Sequence, residues 1–519
     1  MNEPKRARHT SMGTTMQRFS AADALFLYAE KPEAPMNIGS AQLVQIPDEY
    51  EGRFRDRFLA LLKERSKEVP IMNWVVAEQP YNLDYPVWTD AGTLDWSYHY
   101  TAKKMPKGST LDDVMRELEG IHAVPLDRSK PLFQYYVFDG LADNQAVIYA
   151  KLHHSCLDGQ AGVQLMMLMY DLERTPRPPL TADQMKAHGL DKTPCHKPTL
   201  TTALIDAAFS TAEKPVYKQW PAARKTLDVL RHQYTQSRHN PAAEGTLFGA
   251  PRSILNSPIT DKRAFAIGKI SLTETKAVAK AMRATLNDVI LSVTGGALRN
   301  YLKDEGELPD KSLVCAIPVA QSQKDSSLNN VAAMTVAWRT DESDPLRRIK
   351  KLHHTTTIGK RNSIELFGAI ESGTGLKLPA YLAKPVMSSF MSKEVITTIP
   401  PLLSAILSNV PGAPMTLYMA GCELLATYPL SVITHGCAVN ITVMSYRDDI
   451  DFGITTCPDV IKDADKLMRL ILEEFEDTKA ALAAEQEAAA APKFDVIETE
   501  PAAAEADADE GEEQSAAVA

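Results

Sequence analysis

The chain has 519 residues, of which 44% are hydrophobic and 24% charged, and its formal net charge is −10. Residues 484–519 hold eleven of the 66 acidic side chains and one of the 56 basic ones, which leaves 55 of each in residues 1–483. A neutral body argues against a nucleic-acid partner, because such binding depends on neutralising phosphates. The length is sufficient for two domains.

Composition also bears on the compartment. No run of about 18 apolar residues is present, which argues against a membrane-spanning helix, and the N-terminus lacks the apolar core of a secretory signal. The six cysteines are not spaced like a zinc site or a redox pair, so free thiols are expected. We therefore expect a cytoplasmic protein.

The first half of the chain alternates helical and extended patterns. Residues 1–18 are polar and basic and are predicted to be disordered. Ser20, with Asp23 three residues later, predicts a capping box that starts a short helix. A strand is expected at 38–44, and apolar residues at helical spacing predict helices over 54–67 and 111–121.

Two apolar runs, 132–138 and 146–152, flank a turn sequence and predict a β-hairpin. The second run leads directly into His153-His154-Ser155-Cys156-Leu157-Asp158-Gly159, after which 163–170 has a helical apolar face. The histidines are thus expected where a strand passes into a helix, a place from which side chains can enter a cleft.

The composition then divides the rest of the chain. Proline-rich residues 173–252 are predicted to be a linker with helical content between an N-terminal subdomain at 19–172 and a C-terminal subdomain at 253–483. The second core is predicted to contain helices at 275–281, 287–302 and 463–482 and strands at 312–317, 332–338, 439–445 and 451–455. Residues 484–519, rich in alanine and acids, are predicted to be a disordered tail.

The HHxxxDG pattern at 153–159 is the most informative feature for chemistry. Neutral imidazole can accept a proton near neutral pH, which suits a general base that activates an alcohol. Adjacent residues on a strand point to opposite faces, so one histidine reaches the substrate; we predict His154, with His153 in support on the other side. Asp158 beside Gly159 is expected to orient the loop rather than to donate a proton.

Other interpretations of the motif remain open. In one of them, the histidines only satisfy backbone hydrogen bonds at the strand end, which is common for an isolated pair. A metal site of His153, His154 and Asp158 is disfavoured because adjacent histidines diverge and no further ligand cluster is visible. Cys156 is expected to be a small buried thiol rather than a nucleophile.

Further segments match one family in order along residues 16–482. They lie at 20–27, 35–40, 131–133, 287–291, 296–299, 301–302, 408–412, 417–421 and 440–446. On these segments and the histidine motif, the chain resembles the bacterial wax ester synthase/diacylglycerol acyltransferase family. One departure is Pro-Leu-Phe at 131–133 where the family has Pro-Leu-Trp, which keeps the aromatic bulk and loses the indole donor.

The resemblance implies an α/β fold of two chloramphenicol-acetyltransferase-like subdomains, each a mixed sheet with helices, with the active-site tunnel between them. It also implies that the second histidine of the motif, His154, is the catalytic base. The family's aspartate maps to Asp158 with a structural role, often paired with an arginine, for which Arg263 is the candidate. Its Asn-Asp pair maps to Asn287 and Asp288, which would support the cleft from the second half.

The function implied is O-acyl transfer from acyl-CoA to a fatty alcohol or diacylglycerol, with no cofactor and no metal. Peripheral association with the inner face of the membrane or with lipid inclusions is compatible with such substrates. Transfer to another hydroxyl or amine, hydrolysis of the thioester, and a silent acyl-lipid-binding protein of the same fold are the alternatives. No oligomeric state is predicted.

Three lesser patterns are interpreted more plainly. His353 and His354 follow a basic helical run at 345–352 and are predicted to lie on a solvated helix face, with contact to CoA phosphates or anionic lipid as a weaker alternative. Apolar segments at 376–391 and 395–407 are predicted to be core helices, or else tunnel lining or a membrane contact. Asp451-Phe452-Gly453 is predicted to be a strand end.

Overall fold

The computed structural model describes residues 19–157, 159–204, 224, 228, 231, 234–235, 249–320, 331–371 and 380–490. The elements of the first half are α1 (Ala21–Ala29), β1 (Asn37–Gln45), α2 (Phe54–Arg65), β2 (Trp74–Ala77), β3 (Val87–Asp90), α3 (Trp96–His99), β4 (Tyr100–Ser109), α4 (Leu111–Ala123), β5 (Phe133–Leu141), β6 (Gln145–His153), α5 (Gly159–Met169) and α6 (Ala182–Ala187). Those of the second half are β7 (Ala264–Ser271), α7 (Leu272–Ala281), α8 (Leu286–Asp304), β8 (Val314–Ala320), β9 (Val331–Ala337), α9 (Pro345–Glu371), α10 (Ala380–Phe390), α11 (Lys393–Thr398), β10 (Ala405–Val410), β11 (Tyr418–Met419), β12 (Cys422–Leu430), β13 (Val439–Tyr446), β14 (Asp449–Thr456) and α12 (Ala464–Ala490).

The first sheet has six strands in the order β11-β12-β1-β6-β5-β4. Its neighbouring strands are antiparallel except β4 and β5, which run parallel. The predicted hairpin is β5 and β6, with Phe133 opposite Leu152 and Phe138 opposite Val147. β6 is buried from Ala146 to His153, so both faces of this strand are covered and its C-terminal end lies inside the protein.

The second sheet has the order β7-β14-β13-β10-β8-β9, and β10 runs parallel to β8 and β13 while the other pairs are antiparallel. Helix α8 is buried along most of its length and packs against α9 and α12. Each sheet has an apolar core of its own. The predicted α/β class with two mixed sheets is therefore confirmed.

Strand β12 connects the two sheets. It belongs to the second half of the chain but pairs antiparallel with β1 of the first sheet. It also lies against β14 of the second sheet, where the Thr427 backbone N–H donates to Asp451 Oδ2 at 2.7 Å and the Ser431 N–H donates to Thr455 Oγ1 at 3.2 Å. The residues around this crossing strand therefore fix the position of one sheet relative to the other, an arrangement that the sequence did not predict.

Asp451-Phe452-Gly453 lies inside β14 and is not the strand end that the sequence suggested. Gly453 permits the crossing, because a Cβ added there would lie 1.7 Å from the carbonyl oxygen of Pro429. Burial raises the pKa of Asp451 to about 7, and its hydrogen bond from Thr427 only partly offsets that rise. The tripeptide therefore forms part of the contact between β14 and β12.

The predicted start of α1 is confirmed, whereas the predicted end of the last helix is wrong. Ser20 and Asp23 form the capping box of α1, with the Asp23 N–H donating to Ser20 Oγ at 3.0 Å. Helix α12, predicted to end at 482, continues to Ala490 and so includes the first residues of the predicted disordered tail. Alanine and glutamate favour helix, and Glu485 pairs with Lys350 at 3.2 Å. Residues 491–519 and 1–18 lie outside the described residues.

Candidate functional site

The two histidines at the end of β6 point in opposite directions, as the period of a strand requires. His153 is fully buried behind the sheet, whereas His154 is partly exposed and lines a cavity. Both are fixed through the main chain, since the His153 N–H donates to Leu132 O at 3.1 Å and the His154 N–H donates to Met36 O at 2.8 Å. The divergence also prevents the two rings from sharing one metal ion.

The cavity that His154 lines has a volume of about 150 Å³ and lies between the two halves. From the first half, β1, β6 and α5 contribute mainly apolar side chains; from the second half, β10, β12 and β13 close the other side. Its lining includes Ile38, Ser40, Gln42, Leu152, Leu165, Met166, Ser408, Val410, Pro429, Ser431, Thr442 and Met444. An apolar cavity with a few hydroxyl groups suits an aliphatic chain with one polar end.

The surroundings of His153 explain why it is not the outward-facing base. Its Nδ1 accepts from the Ser155 N–H at 3.1 Å and lies 2.8 Å from Ser155 Oγ, which places the ring proton on Nε2. Nε2 in turn lies 3.4 Å from Glu30 Oε1. Burial lowers the pKa of His153, so the ring is a neutral, enclosed support of the turn.

His154 is held on its other side by an aromatic ring. Phe26 of α1 stacks on the imidazole with ring centroids 4.0 Å apart and planes 6° from parallel. This contact was not predicted, although Phe26 lies in the matched segment 20–27. Stacking restricts the plane of the ring of this cavity-lining residue.

Glu30, at the end of α1, is a second residue that the sequence interpretation missed. Its carboxylate is almost fully enclosed and bonds to Arg128 at 2.7 Å and to the Met36 N–H at 3.2 Å. Burial raises the pKa of Glu30, but the contacts with His153 and Arg128 outweigh it and lower the pKa to about 2. The sequence held a signal, because an acid at a helix C-terminus opposes the helix dipole and needs a compensating partner.

The remaining predicted residues of the motif are placed as follows. Asp158 lies outside the described residues, so its orienting role stays a prediction. Gly159 is the first residue of α5, the helix that lines the cavity. Cys156 is buried, and burial raises the pKa of its thiol far above the usual value, which matches the expected inert thiol.

Arg263 is buried and donates to three main-chain carbonyls. These belong to Thr260 at 2.9 Å, Lys262 at 2.8 Å and, across the interface between the halves, Glu33 at 2.8 Å. Arg263 therefore connects the second half to the loop after α1, and its proposed pairing with Asp158 stays a prediction.

Asn287 and Asp288 lie at the start of α8 and are absent from the described lining of the cavity. Asp288 is fully buried, forms the capping box with Thr285 and accepts from Thr356 Oγ1 at 2.8 Å. Asn287 Oδ1 accepts from Asn409 Nδ2 at 3.5 Å, next to the cavity-lining Ser408. Their contacts thus stabilise strand β10, which lines the cavity, and the packing of α8 on α9. Neither residue is part of the described lining.

The second histidine pair is exposed on α9, but His353 is not simply solvated, because its Nδ1 lies 2.8 Å from Asp288 Oδ2. The basic side chains that precede it on α9 form ion pairs with acidic residues of the same half. These pairs are Arg347 with Glu342 and Asp344, Arg348 with Glu474, Lys350 with Glu485, and Lys351 with Glu342. This pairing weakens the alternative of a phosphate-binding helix face.

Comparisons with known proteins identify the family of this chain. The model of the wax ester synthase/diacylglycerol acyltransferase catalytic domain matches residues 19–290, and the C-terminal domain of the same family matches 329–479. An O-acyltransferase of Acinetobacter baylyi is 28% identical over 482 residues, covering 91% of this chain and 99% of its own. A putative diacylglycerol O-acyltransferase of Mycobacterium tuberculosis is 30% identical, covering 84% of this chain and 94% of its own.

Solved structures show the same fold. A wax ester synthase/diacylglycerol acyltransferase from Marinobacter aquaeolei matches with a TM-score of 0.64 at 22% identity, covering 90% of this chain and all of that one. A starter condensation domain of rhizomide synthetase matches with a TM-score of 0.50 at 14% identity, covering 90% of this chain and 94% of that one.

Fold, histidine motif and relatives together make this protein an O-acyltransferase. The chain belongs to the wax ester synthase/diacylglycerol acyltransferase family, whose two domain models together cover most of residues 19–479. The resemblance found in the sequence is thereby confirmed.

Proposed function

We propose that the protein transfers a long-chain acyl group from acyl-CoA to a fatty alcohol or diacylglycerol, with His154 as the general base. The observation that carries this proposal is the position of His154, the one histidine of the motif that faces the apolar cavity between the halves. Membership of the family supports the reaction class, and the apolar lining supports an aliphatic substrate.

The chemistry requires only one imidazole. His154 removes the hydroxyl proton of the acceptor while the oxygen attacks the thioester carbon, and a tetrahedral oxyanion forms. Collapse of this intermediate breaks the carbon–sulfur bond, and the imidazolium returns the proton to the CoA thiolate. The products are an ester and free CoA, so atoms and protons balance without a covalent enzyme intermediate.

The test of this function measures CoA release from palmitoyl-CoA by the purified full-length protein. We expect release to depend on added hexadecanol or diacylglycerol and to equal the ester formed. Release without an acceptor would support thioester hydrolysis instead. Absence of release with every hydroxyl and amine acceptor offered, while the protein still binds palmitoyl-CoA, would support the silent lipid-binding alternative.

We further propose that α10 rests on a lipid surface. Its Leu382, Val386 and Phe390 follow one another at a spacing of four, form one apolar stripe and are between 36% and 54% exposed. The neighbouring face, with Ala380 and Ala383, packs against α1. Lys384, two residues from both Leu382 and Val386, lies on the side away from the stripe and pairs with Glu78 at 2.9 Å. The structure has no described helix long and apolar enough to cross a bilayer. A surface stripe of this kind fits shallow insertion.

The prediction for this surface concerns vesicle binding. Replacing Leu382, Val386 and Phe390 by serine removes three side chains that would each contribute up to about 2 kcal/mol on burial, so we expect binding to phosphatidylcholine–phosphatidylglycerol vesicles to weaken at least about tenfold. A matched control, Leu172→Ser with Leu472→Ser, changes exposed leucines elsewhere and should leave binding unchanged. Binding is measured by flotation of the protein with the vesicles. If the triple variant floats as well as the wild type and the control, the assignment of α10 is wrong.

A further inference from the structure

We propose that α1 is the element that positions the catalytic imidazole, with Phe26 fixing the ring of His154 and Glu30 fixing the backbone that carries it. Phe26 and Glu30 are four residues apart, so they lie one helical turn apart on the same side of α1. The inference rests on the proposed function, because it assigns positioning residues to the same histidine.

The first part of the argument concerns the ring. A histidine side chain at the end of a strand can rotate about two bonds, and its ring plane must be restricted if Nε2 or Nδ1 is to meet a hydroxyl group reproducibly. The main-chain bond from His154 to Met36 fixes only the Cα position. The nearly parallel stack on Phe26 restricts the plane of the ring.

The second part concerns the backbone. Glu30 Oε1 accepts from the Met36 N–H at 3.2 Å, and the Met36 carbonyl accepts from the His154 N–H at 2.8 Å. One residue thus connects the buried carboxylate of Glu30 to the backbone of the base. The same carboxylate oxygen lies 3.4 Å from Nε2 of His153, so Glu30 contacts both histidines of the motif, one directly and one through Met36.

The third part concerns what anchors Glu30. Arg128 holds the second carboxylate oxygen through Nη2 at 2.7 Å and Nε at 3.2 Å, and the same Nη2 donates to Leu27 O at 2.6 Å at the end of α1. The Arg128 guanidinium thus binds both a free carbonyl at the end of α1 and the Glu30 carboxylate. Its positive charge offsets the unfavourable position of an acid at a helix C-terminus. Glu30 and Arg128, which we call the clamp, are absent from the described lining of the cavity, so they act on His154 from outside it.

Kinetics of the full-length protein test the proposal. Phe26→Leu should lower kcat about 10- to 100-fold with KM changed less than about twofold, because the ring is misplaced while the cavity is kept. Phe26→Tyr retains a stacking ring and should keep most of kcat. Glu30→Gln keeps the shape but loses the charge that holds Arg128, and should also lower kcat at least about tenfold.

Two controls separate positioning from a general loss of packing. Phe133 stacks on His99 at 4.2 Å and 14° and does not line the cavity. Because Phe133 is more deeply buried than Phe26, Phe133→Leu should lower the thermal midpoint at least as much as Phe26→Leu, with a much smaller effect on kcat. In a His154→Ala background, Phe26→Leu should change the residual rate less than about twofold. An equal loss with and without His154 would overturn the proposal.

An activity-independent readout keeps this inference separate from the proposed function. In protein labelled with ¹³C-histidine, the His154 Cε1–H resonance is assigned by its absence from His154→Ala. Removing the Phe26 ring current should move it downfield in Phe26→Leu and not in Phe133→Leu. An unmoved resonance would overturn the stacking role, whereas absence of transferase activity together with the expected shift would overturn only the proposed function.

Discussion

His154→Ala is expected to lower ester formation by about 10²- to 10⁴-fold, the usual contribution of a general base, with the fold intact. His154 lines the cavity and is partly exposed, so its truncation removes mainly the stack on Phe26 and should leave the fold intact. Product formation from palmitoyl-CoA and hexadecanol measures the effect, and the thermal midpoint checks the fold.

The matched variant is His153→Asn. It keeps an acceptor for the Ser155 N–H on the buried side of the strand, so it should retain considerably more activity than His154→Ala. If both variants are well folded and lose activity equally, His154 alone is not the base.

Gly453→Ala should be among the most destabilising single methyl additions in this protein. The new Cβ would lie 1.7 Å from the Pro429 carbonyl oxygen. The nearest atoms all belong to the Pro429 backbone, so no flexible side chain can move to relieve the clash. β12 would have to shift away from β14, which stretches the Thr427–Asp451 hydrogen bond. We expect a loss of about 3 kcal/mol or more in the free energy of unfolding, measured by denaturant titration.

The same substitution should also reduce kcat/KM, because Pro429 and Ser431 line the cavity and would move with the strand. Gly120→Ala provides the control. Gly120 lies in α4, is exposed, and an added Cβ meets nothing within 4 Å, so that variant should be neutral or stabilising by up to about 1 kcal/mol. Wild-type stability of Gly453→Ala would show that β12 has more freedom than the structure indicates.

Local sequence rules predicted much of the architecture. The capping box at Ser20, the hairpin at 132–152 and the long helix at the end depend on residues close together in the chain, and the opposite directions of His153 and His154 follow from strand geometry alone. Strand β4 was missed because its residues are mostly exposed and include lysine, proline and glycine, which hides the usual alternation.

The contacts that complete the site join distant parts of the chain and were not predicted. Phe26 reaches His154, and Asp288 reaches His353, through packing that no local pattern encodes. The pairing of β12 with β1 is of the same kind, because a strand's periodicity shows which face is buried and not which strand lies beside it. A family resemblance supplied the two-subdomain fold, whereas the contacts of Phe26 with His154 and of Glu30 with Arg128 became visible only in the structure.

The position of β12 in the chain has a consequence for biosynthesis. β1 to β6 leave the ribosome early, but the strand that covers the outer side of β1 is complete only at residue 430. At about 5–20 residues per second, the nascent first sheet keeps an open edge for roughly 15 to 55 s. Open edges recruit other strands, so production of this enzyme should respond to chaperones that shield nascent chains, and its first half made as a separate polypeptide should aggregate.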